Sequence, residues 1–213
     1  GVLKCWGYNA LGRLGDGSTT DRWSPVIIEW GTSFKAVSAA QNHTCAITTT
    51  GALKCWGYNE RGILGDGTTE NRLSPKTIDL EVNDSQVSTG VTHTCGITTS
   101  GVAKCWGDNT SGKLGNNSTT STTTPVAVYT KAPWSEQVDV CDAWFVFCTR
   151  SHKETVQHPG SPLYGKSVTK ISAGDTHTCV IANARTYCWG DNSDGQLGNR
   201  STASSSVPVA VDI

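Results

Sequence analysis

"KCWGYNALGRLGDGSTTDRWSP" at residues 4–25 is written again as "KCWGYNERGILGDGTTENRLSP" at residues 54–75. The pattern continues as "KCWGDNTSGKLGNNSTT" from Lys104 and "YCWGDNSDGQLGNRSTA" from Tyr187. Its cysteine falls at Cys5, Cys55, Cys105 and Cys188, so two intervals are 50 residues and the third is 83. A second phrase keeps the same register: "NHTCAIT" at 42–48, "THTCGIT" at 92–98 and "THTCVIA" at 176–182 each stand shortly before a tryptophan motif. In the long interval its place is taken by "CDAWFVFCT" at 141–149, with no tryptophan–glycine motif after it, which predicts a degenerate fourth unit there.

A repeat of this length means stacked supersecondary units that cannot bury their apolar faces alone. No ten-residue stretch carries apolar residues at helical spacing. Short runs such as Ala36–Ser38, Thr44–Thr48, Ala52–Trp56 and Pro125–Tyr129 are instead bounded by Gly, Asn, Asp, Ser and Pro. The unit is therefore all-β, with strands of roughly four to six residues. The expected repeats are 5–54, 55–104, 105–154, a degenerate 155–187 and a partial 188–213, with an irregular insertion over about 130–166, all in one segment spanning 1–213.

The cysteines sharpen the geometry. A hairpin centred on Thr50 sets Cys45 opposite Cys55 and Ile47 opposite Leu53; one centred on Ser100 does the same for Cys95 and Cys105. The third hairpin is one residue shorter, yet a two-residue Asn183-Ala184 turn still sets Cys179 opposite Cys188. Three hairpins with different loops keep one pairing, which predicts three cross-strand disulfides. A zinc site fits poorly, because the spacing is unlike that of zinc knuckles. Cys141 and Cys148 are expected to pair in the degenerate unit, where His152 and His158 also raise a Cys/Cys/His/His metal site whose spacing matches no common motif. Cys5 has no His-Thr-Cys phrase before it and is expected to be unpaired.

"VSAAQNHTCAITTTGALKCWGYNERGILGDGTTENRLSPKTI" at 37–78 resembles a repeat of the regulator of chromosome condensation family. The resemblance covers nearly the whole chain apart from roughly 130–166. It implies a β-propeller of four-stranded blades, about seven in a full ring, of which about four are present here. The cysteines stand where intracellular members carry plain apolar residues, a departure similar to secreted bacterial and archaeal versions. At 213 residues the chain is expected to be a segment of a longer polypeptide, or else to have its ring completed by another chain.

Composition narrows the partners. Charged residues make up 16% and the formal net charge is −1, so there is no electrostatic footprint for nucleic acid. No apolar run approaches the length of a membrane span. Six N-x-S/T patterns occur, at Asn42, Asn83, Asn109, Asn116, Asn117 and Asn199; Asn83, Asn109, Asn117 and Asn199 are the candidate glycosylation sites. No Ser/His/Asp arrangement, phosphate loop or carboxylate pair emerges, and neither a cofactor nor a metal is expected. His43, His93 and His177 sit at one point of each unit and read as structural. "DGSTTDR" and "DGTTENR" lack the ligand alternation of a calcium loop and read as turns, with Arg22 and Arg72 pairing locally.

Three functions compete on this reading. The first is an extracellular, non-enzymatic recognition or structural module whose rim, with Tyr8, Trp23, Tyr58 and Arg72, meets a protein or glycan, and in which Trp134 and Trp144 offer a further contact surface. The second is inhibition of a secreted enzyme, which the resemblance implies through the propeller-fold β-lactamase inhibitors. The third is nucleotide exchange on a small GTPase, disfavoured by the paired cysteines and the lack of a basic tail. The first is the expectation carried forward, with a location outside the cell or on its surface.

Overall fold

The computed structural model describes residues 1–141, 151–158 and 160–212. Strands account for nearly all its regular structure. Strands β1 (Lys4–Gly7) and β2 (Arg22–Ile27) form a two-stranded sheet. Strands β3 (Phe34–Ala39), β4 (His43–Thr48), β5 (Ala52–Gly57), β6 (Arg72–Thr89), β7 (His93–Thr98), β8 (Ala103–Gly107) and β9 (Thr122–Ala127) follow in one seven-stranded antiparallel sheet. Next come a hairpin of β10 (Trp134–Cys141) and β11 (Ser151–His158), then a four-stranded sheet of β12 (Val168–Ala173), β13 (His177–Ala182), β14 (Arg185–Gly190) and β15 (Ser205–Ala210).

The seven-stranded sheet is two blades sharing one strand. The first half of β6 pairs with β5 as the outer strand of one blade, and its second half pairs with β7 as the inner strand of the next. A register shift between Val82 and Val87 marks the crossing. The described residues thus hold three four-stranded blades, preceded by the two outer strands of another.

The hairpin registers match the sequence reading. Cys45 faces Cys55 and Ile47 faces Leu53; Cys95 faces Cys105; Cys179 faces Cys188. All three pairs are disulfides, with Cα atoms 4.1 Å apart, as in the narrow pairs of an antiparallel ladder. The Asn183-Ala184 turn has φ of 47° and 60°, the left-handed pair of a two-residue I′ hairpin. Cys5 is free and half-buried.

In the long interval, residues 168–187, which lie in the stretch expected as a degenerate unit, are strands β12, β13 and part of β14 of a regular blade. That blade packs directly on the β6–β9 blade, through the same contacts that join the two blades before it. His43 Nε2 lies 2.8 Å from Thr94 Oγ1, and His93 Nε2 lies 2.8 Å from Thr178 Oγ1. Ser38 Oγ accepts the Thr89 N–H at 3.0 Å, and Ser88 Oγ accepts the Ala173 N–H at 2.9 Å. No blade intervenes between them, because the surplus residues leave the row as the β10–β11 hairpin and return to their starting point. Ser161 N–H donates to the Lys131 carbonyl at 2.8 Å, which closes the neck of the excursion. Cys148 and Trp144 lie outside the described residues, and so therefore does the expected Cys141–Cys148 bond.

The core sits between blades. Trp56, Trp106 and Trp189 are fully buried, each donating its indole N–H to a carbonyl of the preceding blade: Arg13, Ile63 and Lys113, at 3.1, 3.0 and 2.9 Å. The rings lie flat on Gly15, Gly65 and Gly115, where an added Cβ would stand 2.5–2.6 Å from the indole nitrogen. Any side chain there would push the blades apart, so the Leu-Gly of the repeat is a packing requirement.

Candidate functional site

Each loop between the third and fourth strand of a blade is organised by one buried asparagine. Asn59 Nδ2 donates to Asp66 Oδ1 at 3.1 Å and to the Thr68 and Glu70 carbonyls at 3.1 and 3.0 Å. Its Oδ1 accepts the Leu64 N–H at 2.9 Å. Asn9, Asn109 and Asn192 repeat this clamp, and all four are fully buried. In the first two loops the neighbouring aspartate is bound by an arginine, Asp16 by Arg22 at 2.6 Å and Asp66 by Arg72 at 2.7 Å. In the last two loops Asn116 and Asn199 replace the aspartates, while Thr122 and Ser205 replace the arginines. Charge is lost in pairs. Burial alone would raise the Asp66 pKa, but hydrogen bonds from Thr68 and Arg72 outweigh it and hold the carboxyl below its ordinary value.

In the three four-stranded blades the start of the loop is tied to the turn between the first two strands. Tyr58 N–H donates to the Asn42 carbonyl at 3.0 Å, Asp108 N–H to Thr92 at 2.9 Å and Asp191 N–H to Thr176 at 3.0 Å. These ties place the residue after each Trp-Gly on one rim, beside the residue five positions later. Four chemistries fill this one pairing. The Arg13 guanidinium lies over the Tyr8 ring at 4.7 Å, and Tyr58 packs on the apolar cluster that contains Ile63. Lys113 Nζ binds Asp108 Oδ2 at 2.7 Å, and Gln196 Nε2 donates to Asp191 Oδ2 at 2.9 Å. Arg61 reaches across from the adjacent blade to Asp108 Oδ1 at 3.1 Å. Burial alone would raise the Asp108 pKa; the hydrogen bond and charge of Lys113 bring it below the usual value instead. The rim therefore grades from tyrosine and arginine at one end to carboxylate at the other, a surface suited to a polar partner rather than a greasy one.

The expected binding residues do not converge. Tyr8 and Tyr58 stand on this rim, Tyr8 exposed and Tyr58 half-buried with its hydroxyl donating to Glu60 Oε2 at 3.1 Å. Trp23 lies on the fourth strand of the first blade and is 95% exposed. Arg72 pairs within its own loop, as its place in the turn predicts: besides Asp66 it binds Thr68 Oγ1 and Glu70 Oε2. Trp134 is on β10, away from the four-stranded blades. Asn109 is also corrected, because an amide that is fully buried and hydrogen-bonded on both sides has no room for a glycan. Asn117 is exposed, whereas Asn116 Oδ1 is held by Asn109 Nδ2, so of that adjacent pair Asn117 is the available one. Asn199 is half-buried and accepts from Asn192 Nδ2.

Two exposed aromatics escaped the sequence reading. Trp6 is 61% exposed although its counterparts in the other blades are fully buried, and Trp30 is 83% exposed at a strand connection. Among the described residues no group of three His, Cys, Asp or Glu side chains is placed to hold a metal ion. Among the described residues no helix is long and apolar enough to cross a membrane.

A family profile described as "Regulator of chromosome condensation (RCC1) repeat" matches residues 1–47, 51–97 and 183–213, more than half of the chain. The chain belongs to the RCC1 repeat family. A second profile of the same description matches 34–63, 85–113 and 168–196, each match beginning at the inner strand of one of the three blades. No curated protein sequence gave a significant match. Among solved structures, human WBSCR16 is similar over the whole chain at 20% identity and a TM-score of 0.75, the chain covering 49% of it. Prp20p of Saccharomyces cerevisiae, studied for its binding to Gsp1p and histones, is similar at 15% identity and a TM-score of 0.54, with 59% covered. Yeast RCC1 (Prp20) bound to Kap60 gives 15%, 0.52 and 57%. The chain thus spans roughly half the length of these RCC1-type propellers, and the likeness carries the fold.

Proposed function

We propose that this chain is a non-enzymatic binding module of an oxidising, extracytoplasmic compartment, which holds a protein or glycan against the rim that carries Tyr8, Tyr58, Asp108 and Asp191. The carrying observation is the cysteine pairing. Three separate hairpins set two cysteines face to face and bond them, and such bonds persist where thiols are not continually reduced. Membership of a repeat-propeller family supports a binding role, because the fold presents loops from many blades on one rim. The exposed Tyr8 ring with Arg13 beside it is the kind of amphipathic contact that sugars and protein partners both use. Glycans at Asn83 and Asn117 belong to the same reading; Asn199, held by Asn192 as Asn116 is by Asn109, does not.

The test is the intact mass of the natural protein, thiol-capped before and after reduction. Six cysteines, Cys45, Cys55, Cys95, Cys105, Cys179 and Cys188, should take the cap only after reduction; capping of all six beforehand sinks the extracytoplasmic assignment. The rim is tested on arrays of glycans and surface proteins. A ligand retained unchanged by Tyr8→Ala, Tyr58→Ala and Asp191→Ala together overturns the assignment of the binding face. An enzyme whose turnover stops when the module binds it would instead establish the inhibitor role.

A further inference from the structure

Residues 114–130, the second part of the β8–β9 loop and the whole of β9, carry no charged side chain, and 118–124 read Ser-Thr-Thr-Ser-Thr-Thr-Thr ahead of Pro125. Strand β9 is the edge of its sheet. An open strand edge is normally guarded by proline and by charge. Proline stands at the same place in the outer strands of neighbouring blades, Pro75 in β6 and Pro125 in β9, but the charges differ. The outer half of β6 carries Arg72 and Lys76, and β9 carries none. One guard is missing where the hydroxyls accumulate.

The fold divides the seven hydroxyls of this run into used and unused. Ser118 Oγ accepts the Thr120 N–H at 3.0 Å, Ser121 Oγ accepts the Asn109 N–H at 3.1 Å, and Thr122 Oγ1 donates to the Thr124 carbonyl at 3.0 Å. Thr123 covers Gly62, its Cα and Cγ2 both 2.8 Å from a Cβ added there. Thr119, Thr120 and Thr124 are exposed, and their hydroxyls bond to nothing among the described residues. The loop backbone before β9 is held in place, since Asn109 Nδ2 donates to the Ser118 and Thr120 carbonyls at 2.9 and 3.1 Å. Thr119 is also the third residue of the Asn117 sequon, which leaves Thr120 and Thr124 as the hydroxyls with no other use.

We propose that Thr120 and Thr124 carry O-linked sugars. Ser and Thr with proline and without charge is the composition of O-glycosylated stretches. The step is a glycosyl transfer: the bond from the sugar C1 to the phosphate of a nucleotide-linked or lipid-linked donor breaks, a bond from C1 to threonine Oγ1 forms, and the hydroxyl proton ends on the departing phosphate. Bulky, solvated sugars on the outer strand supply the guard that β9 lacks in charge. This inference rests on the extracytoplasmic reading and adds to it a modification and its acceptors.

Peptide mapping of the protein from its natural source is the test. Trypsin releases residues 114–131 as one peptide. After enzymatic removal of N-linked glycans this peptide should keep the mass of at least one sugar, which electron-transfer fragmentation should place on Thr120 or Thr124. Thr69 and Ser74, exposed in the stretch that keeps Glu70, Arg72 and Lys76, should be bare. Thr120→Ala with Thr124→Ala, produced in the same host, should lose the sugar mass from the 114–131 peptide altogether. A bare peptide overturns the proposal: with the six cysteines still bonded it falls alone, and with them free the compartment falls with it. Sugar confined to the other hydroxyls of the run, equal occupancy at Thr69 and Ser74, or phosphate in place of sugar overturns it as well.

Discussion

Asn59 holds three acceptors and one donor with a single amide, and in four loops the same residue does the same work. Asn59→Ala should strand these buried groups and lower stability by about 3 kcal/mol in urea unfolding. Asn59→Asp should cost more, since it sets a carboxylate against three acceptors. The buried histidines act through protonation. Burial lowers the His43 pKa to about 4, and burial together with the Lys113 charge lowers that of His93 to about 3. In the unfolded chain each takes up a proton near pH 6.5. Between about pH 6.5 and 4 the unfolded state therefore binds protons that the folded state refuses, and stability falls as pH falls. Thermal melts should show that loss above the range in which carboxylates titrate, and His43→Gln with His93→Gln should flatten it. At this scale the facing of Cys45 with Cys55 was legible, because strand periodicity and hairpin length leave one register. The local pairing of Arg22 and Arg72 was legible too, because each stands in a turn that carries its own aspartate, Asp16 or Asp66.

The blades are joined by two kinds of connection, and they should respond differently to change. Strand β6 runs without a break from one blade into the next, so proline at its crossing should uncouple both. The β9–β12 connection is an excursion whose neck is closed between Lys131 and Ser161. Replacing residues 132–160 with a short Gly-Ser link should leave the melting temperature within a few degrees of the parent. A loss of several kcal/mol would show that the hairpin supports the blades. The uneven period in the sequence has a physical reason here. Counting residues between motifs treats all chain length as blade, whereas the ladder and the inter-blade bonds see only the residues that return to the row.

Stability in a row of stacked units is close to a sum of unit and interface contributions. In the β12–β15 blade Cys179 is half-buried, while Cys45, Cys55, Cys95 and Cys105 are fully buried. Graded reduction followed by alkylation and peptide mapping should therefore open Cys179–Cys188 first. Thr178→Val breaks the junction at its centre, because the Thr178 hydroxyl donates to the Lys113 carbonyl at 3.0 Å and faces His93. Hydrogen exchange in that variant should rise across β12–β15 well before it rises in β3–β5. Uniform exchange throughout would mean that the blades unfold as one cooperative body. The propeller architecture was legible from the repeats. The seat of each buried tryptophan was not, because Trp56, Trp106 and Trp189 lie on glycines of the preceding blade, 41 to 74 positions away in the chain and so outside their own repeat motif.

The closed neck at Lys131 and Ser161 separates length from architecture. A segment that leaves and rejoins at one point can be lengthened, shortened or exchanged without the row registering it, so this junction is where a lineage can acquire a new appendage at little structural risk. For the engineer it is a grafting port: a loop, an epitope or a small folded domain placed between those two residues would be carried outward from a scaffold already braced by its disulfides.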